Sequence, residues 1–86
     1  MIRLEDRLKE LIITELKVRD VVPADVADDD LLFGGTLGLD SLDAVELVVV
    51  LKKHFGIEVK DRNTMRAHFE SIATLAAYIR SQRPDL

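Results

Sequence analysis

The residues best placed to do chemistry lie in Gly38-Leu39-Asp40-Ser41-Leu42-Asp43. Ser41 offers a hydroxyl, and the chemistry open to it is covalent modification. No His or Lys stands beside it in sequence to take its proton, so its activation as a nucleophile must come from another protein. Asp40 is a favoured helix N-cap, and Asp43 three positions later supplies the short-acid form of a capping box, which predicts a helix beginning at Ser41. The backbone N–H groups of such a first turn are unpaired and sit at the positive end of the helix dipole. That setting suits a phosphate esterified to the serine.

The other chemistry-bearing clusters are weaker. Asp28-Asp29-Asp30 lacks the glycine and the distal glutamate of a calcium loop and reads as a solvated, helix-capping acidic turn. Gly34-Gly35 lacks the lysine that follows in a phosphate-binding loop and reads as a turn. His54 and His68, in a chain without cysteine, are too few for a metal site. No catalytic residue and no metal ligand is assigned, and an enzyme is the least supported reading.

The elements that must position Ser41 follow from periodicity. Leu4, Leu8, Leu11, Ile12 and Leu16 recur at helical spacing, which predicts a first helix from Leu4 to about Val18. Residues 19–37 form a long connection, with Pro23, the acidic run and Gly34-Gly35, whose Val21, Val22, Leu31, Leu32 and Phe33 are expected to pin it to the core. A second helix is expected from Ser41 to about Phe55, stopping at Gly56. Ile57-Glu58-Val59 has no partner segment and reads as an extended link. A short third helix is expected within Asn63–Phe69. Ser71 then caps a fourth, with Ile72, Leu75, Ala76 and Ile79 on its core face. Residues 81–86, which include Pro84, are expected to fray. The fold class is all-α: a four-helix bundle of three long helices and one short third helix, with a long loop between the first two.

Composition bounds what this bundle can do. Eighty-six residues fill one domain with a single small core. Twelve basic against sixteen acidic residues give a net charge of −4, which argues against nucleic acid and anionic membranes, since both need a positive footprint. The longest apolar run, Leu47–Leu51, is too short to span a bilayer, so no membrane insertion is expected. A monomeric, cytoplasmic protein is the default.

Placed at 100° per residue, the second helix has two apolar faces. Ala44, Leu47, Val48, Leu51 and Phe55 fall on one, expected to face the core. Leu42, Val45 and Val49 fall on the other, rimmed by Glu46, Lys52 and Lys53. So small a domain buries a whole helix only with difficulty, so this second stripe is expected to be exposed as a protein contact surface. Lys52, Lys53 and His54 are expected to complement the negative end of the helix.

The stretch Leu37-Gly38-Leu39-Asp40-Ser41-Leu42-Asp43-Ala44-Val45-Glu46-Leu47 resembles the phosphopantetheine attachment motif of acyl carrier proteins. The similarity extends in order and spacing from about Leu31 to Ile79, through Phe55-Gly56-Ile57-Glu58-Val59 and Ala76-Ala77-Tyr78-Ile79. The resemblance implies that a phosphopantetheinyl transferase uses coenzyme A to attach 4'-phosphopantetheine to the serine matching Ser41. The arm's thiol then holds acyl intermediates as thioesters and passes them between acyl-loading and acyl-processing enzymes of fatty-acid, lipid or polyketide-type biosynthesis.

In the family, the positions matching Asp40 and Leu42 contact the transferase, and those matching Asp43 and Glu46 are acidic recognition positions. Together with Val45 and Val49 they define the expected docking face. Lys52, Lys53, His54, Arg62, Arg66 and His68 depart from the uniformly acidic surface of typical fatty-acid carriers. The departure implies a specialised rather than a primary fatty-acid carrier. Met65 is expected in the core or at the end of an acyl-binding cleft. Two other readings stand beside the acyl carrier: a peptidyl or aminoacyl carrier, and an unmodified helical protein-interaction module using the same stripe.

Overall fold

A computed structural model describes residues 2–86. Its elements are α1 (Leu4–Glu15), a single 3-10 turn (Pro23–Asp25), α2 (Ser41–Phe55), α3 (Arg62–His68) and α4 (Ile72–Gln82). Among the described residues there are no strands, only isolated bridges pairing Leu31 with Ser71 and Phe33 with Leu39. The architecture is the expected helical bundle with a short third helix and a long loop before α2. Helix α1 packs against both α2 and α4, and α3 packs on α4.

Helix α1 ends three residues before the expected Val18. Its periodicity continues, but Lys17 adopts φ 54, a left-handed conformation that breaks the helical path. The Val18 N–H closes the turn on the Ile13 carbonyl at 3.0 Å, and Leu16 and Val18 both still pack on the core. Helix α2 has the predicted bounds because chemistry marks both of its ends. Gly56 ends it at φ 67, and its N–H bonds the Lys52 carbonyl at 3.0 Å.

The core joins Leu8 and Ile12 of α1 to Leu47, Leu51 and Phe55 of α2 and to Ile72, Leu75, Ala76 and Ile79 of α4. Each fully buried aliphatic side chain contributes roughly 2 kcal/mol. On α2, Val50 is also buried, while Ala44 and Val48 are only half-buried. The inward face therefore sits slightly rotated from the helical-wheel expectation.

The α1–α2 loop is anchored in part as expected: Leu32 is buried, and Val21 and Phe33 pack against the core. Val22 and Leu31 are exposed, and Val26, Leu37 and Leu39 are buried in their place. The Leu32 N–H bonds the Glu70 carbonyl at 2.9 Å, the Leu39 N–H bonds the Leu32 carbonyl at 3.2 Å, and the Ala73 N–H bonds the Asp28 carbonyl at 2.7 Å. These bonds fix the loop to the α3–α4 junction and set the position from which α2 starts. Gly35 passes so close to the Leu31 backbone carbonyl that a Cβ there would collide with it.

The acidic run is not simply a solvated turn. Asp28 pairs with Arg3 at 3.1 Å and with Lys9 at 2.8 Å. Lys9 is only 6% exposed, and this pairing compensates its burial. Asp30 accepts from the Ala27 N–H and the Thr36 hydroxyl.

The chain's end also differs from a frayed tail. Helix α4 continues through Ser81 and Gln82, and Arg83 Nη1 donates to the Phe55 carbonyl at 2.6 Å, satisfying an end group of α2.

Candidate functional site

Helix α2 opens with a reciprocal clamp. Asp40 Oδ1 accepts from the N–H groups of Leu42 at 2.9 Å and Asp43 at 3.1 Å, and Asp43 Oδ2 accepts from the Asp40 N–H at 3.0 Å. Ser41 sits inside this clamp, exposed. Its hydroxyl makes no hydrogen bond among the described residues and is free to be esterified. The clamp corrects one expectation: the first-turn N–H groups of Leu42 and Asp43 are already taken by Asp40, and that of Ala44 bonds the Asp40 carbonyl at 3.2 Å. The end of α2 is thus a capped terminus carrying a carboxylate, and no longer an open anion site.

Along α2 the residues named from sequence lie together on the outer face. Leu42 is 76% exposed, Val45 61% and Val49 53%, with Glu46 exposed between them and Asp43 half-buried at the clamp. An apolar stripe of this kind beginning one residue after a free hydroxyl is suited to a protein contact.

The basic residues expected to complement the end of α2 are held by named carboxylates. Lys53 and His54 both reach Glu15 of α1, at 3.1 and 2.8 Å, and Lys52 lies 3.6 Å from Glu58. The Glu15 carboxyl is held below its ordinary range, first by the hydrogen bond from His54 and then by Lys53. These bases therefore tie α2 to α1 and to the following link.

Beside Ser41 lies a cleft of about 690 Å³ between α2 and α3. Phe33, Ala44, Val45 and Met65 form its apolar walls. Met65 packs against the core, as expected, and lines this cleft as well. Arg62 and Arg66 line the same cleft. In the sequence these two arginines stand out as basic departures, but nothing there brings them to Ser41. The signal that could have done so is their i, i+4 spacing, which places both on one side of α3.

No cluster of three or more potential metal ligands occurs among the described residues, and no helix is long and apolar enough to cross a membrane. The fold and site define a small helical domain with one exposed hydroxyl at a helix start beside an apolar cleft. Comparison with known proteins gives the family. The phosphopantetheine attachment site family matches residues 6–79. The chain is 36% identical over 76 residues to an acyl carrier protein of Akkermansia muciniphila, covering 88% of each chain. It is 37% identical over 75 residues to an acyl carrier protein of Wolinella succinogenes, covering 87% of each.

The chain belongs to the acyl carrier protein family, whose members are carriers, not enzymes, and bear a covalently attached 4'-phosphopantetheine. The site fits that group, since it offers a free, exposed hydroxyl with an apolar cleft next to it.

Proposed function

We propose that Ser41 is the attachment point of the arm and that the chain is a substrate of a phosphopantetheinyl transferase. The observation that carries this reading is the exposed, unbonded Ser41 hydroxyl held at a fixed helix start by the Asp40–Asp43 clamp. In the reaction the Ser41 oxygen forms a bond to the phosphorus of the phosphopantetheinyl half of coenzyme A. The phosphoanhydride bond breaks, the nucleotide half leaves, and the hydroxyl proton passes to a base on the transferase. When bound, the group supplies a thiol that holds acyl chains as thioesters.

Asp40, Leu42, Asp43, Val45, Glu46 and Val49 then form the docking face for the transferase and for acyl-loading and acyl-processing enzymes. Their mixture of exposed valines, a leucine and carboxylates suits partners with an apolar patch bordered by cations. Residues 1–86 act as one monomeric, cytoplasmic carrier domain serving fatty-acid, lipid or polyketide-type synthesis. Arg62 and Arg66, left without carboxylate partners, favour a specialised pathway over the primary fatty-acid one.

Incubation with coenzyme A and a broad-specificity transferase tests the proposal. Intact mass rises by one phosphopantetheinyl group in the native chain and stays constant in Ser41→Ala. A folded native chain that gains no mass would leave the interaction-module reading in its place.

A further inference from the structure

Three features around Ser41 bear on where an anion attached there finds its counter-charge. Asp40 and Asp43 place two carboxylates around the attachment point, and Asp40 occupies the N–H groups of Leu42 and Asp43. Helix α2 therefore offers a phosphodiester little of the anion-binding capacity of an uncapped terminus. Across the cleft, Arg62 and Arg66 line the same concavity as Ser41.

The chain's other arginines are mostly committed. Arg3, Arg80 and Arg83 are paired with Asp6, Glu5 and Asp85, and Arg7 lies over the Phe55 ring. Among the described residues Arg7, Arg19, Arg62 and Arg66 have no ion-pair partner, and of these four only Arg62 and Arg66 share a cleft with Ser41. Glu70 lines an adjoining concavity with Arg66 but makes no ion pair with it. Asp61, next to Arg62, is engaged as the α3 cap, accepting from the Thr64 N–H at 2.7 Å.

Resting on the proposed attachment at Ser41, we infer that Arg62 and Arg66 supply the counter-charge for the phosphodiester that joins the arm to the chain. A guanidinium presents a fork of donors that matches phosphate oxygens, and two of them one helical turn apart can flank a single anion. The consequence is directional. The arm is drawn from the α2 start over the apolar cleft toward α3, along the walls formed by Phe33, Ala44, Val45 and Met65. Because the arginines are exposed, the contact weakens as salt rises.

The test uses the full chain in apo form and after loading with coenzyme A and transferase, with intact mass establishing that Ser41 has gained one group. The Nε–Hε resonances of Arg62 and Arg66 are expected to shift between apo and loaded protein at low salt, while those of Arg19 stay in place. The phosphorus resonance of the loaded protein is expected to move in the double variant Arg62→Gln/Arg66→Gln and to return when both positions are Lys. Circular dichroism checks that the exposed substitutions leave the fold intact. Unmoved arginine resonances in fully loaded protein overturn this inference alone, as does a phosphorus resonance indifferent to the double variant. Arginines that shift only when the arm carries a carboxylate-ended acyl group also overturn it and assign them to the cargo. A folded native chain that gains no mass removes the attachment reading and this inference with it.

Discussion

Asp40 and Asp43 hold one another's backbone: Asp40 Oδ1 accepts from the Asp43 N–H at 3.1 Å, and Asp43 Oδ2 accepts from the Asp40 N–H at 3.0 Å. Ser41 is thereby fixed between two residues whose side chains are both engaged in starting the helix. Asp40→Ala removes two accepted hydrogen bonds at the N-cap and is expected to cost about 1 kcal/mol in chemical denaturation. Asp43→Ala removes one bond and costs about half as much. Both variants are expected to slow modification of Ser41 by more than the stability loss explains, because the position of the hydroxyl loosens. Modification at the native rate in Asp40→Ala would separate the clamp from function.

Val45→Asp and Glu46→Lys test the docking face. Val45 is 61% exposed, so a carboxylate there displaces no core contact and the helical signal in circular dichroism is expected to stay unchanged. Loss of an apolar contact or inversion of a recognition charge is expected to cost on the order of 1 kcal/mol in the encounter, lowering the modification rate several-fold. A chain unfolded by Val45→Asp would instead place that stripe in the core.

Acid stability depends on the link between α1 and α4. Arg80 grips Glu5 through two hydrogen bonds of 2.8 and 2.9 Å, and this partner pulls the Glu5 carboxyl from 4.5 down to about 2. Because the folded value is depressed, the pair's stabilisation is present above pH 4.5 and is lost as pH falls toward 2. Arg80 is partly solvated, so the contribution is put at about 1 kcal/mol. Glu5→Gln should be less stable than the native chain at neutral pH by that amount, and the gap should close as the pH approaches 2. A gap independent of pH would mean the variant acts through packing.

The loop ahead of the motif is sensitive to a single methyl. In Gly35→Ala the added Cβ meets the Leu31 carbonyl, and relief requires moving the backbone that carries Leu32 into the core. A loss of about 2 kcal/mol is expected, lowering the melting temperature by roughly 10 °C in a domain of this size. Native stability in this variant would show that the loop has room to adjust.

What was legible in the sequence was local. Asp40, Asp43 and Gly56 mark the ends of α2 with side chains and a backbone conformation specific to helix termini, so its bounds could be read to the residue. Ser71 marks α4 in the same way. The residues that sequence misplaced depend on contacts between distant segments. Lys9 is buried because the loop brings Asp28 to it, and nothing near Lys9 announces this. Arg83 is ordered because the end of α2 lies within its reach. Val26 and Leu37 displace Val22 and Leu31 from the core because the loop's path, set by the bonds of Leu32 to Glu70 and of Asp28 to Ala73, decides which of its apolar residues face inward. The exposed stripe was visible from helical geometry, but the cleft was not, because it lies between α2 and α3, and the place of α3 is set by its packing on α4.

Peptide-level mass spectrometry of the protein taken from its own cells tests most directly whether Ser41 carries the arm and the arm carries acyl cargo. The peptide containing Ser41 is expected to bear a phosphopantetheinyl group, part of it acylated at the thiol. A Ser41 peptide found wholly unmodified, or a phosphopantetheinyl group on any other residue, would contradict it.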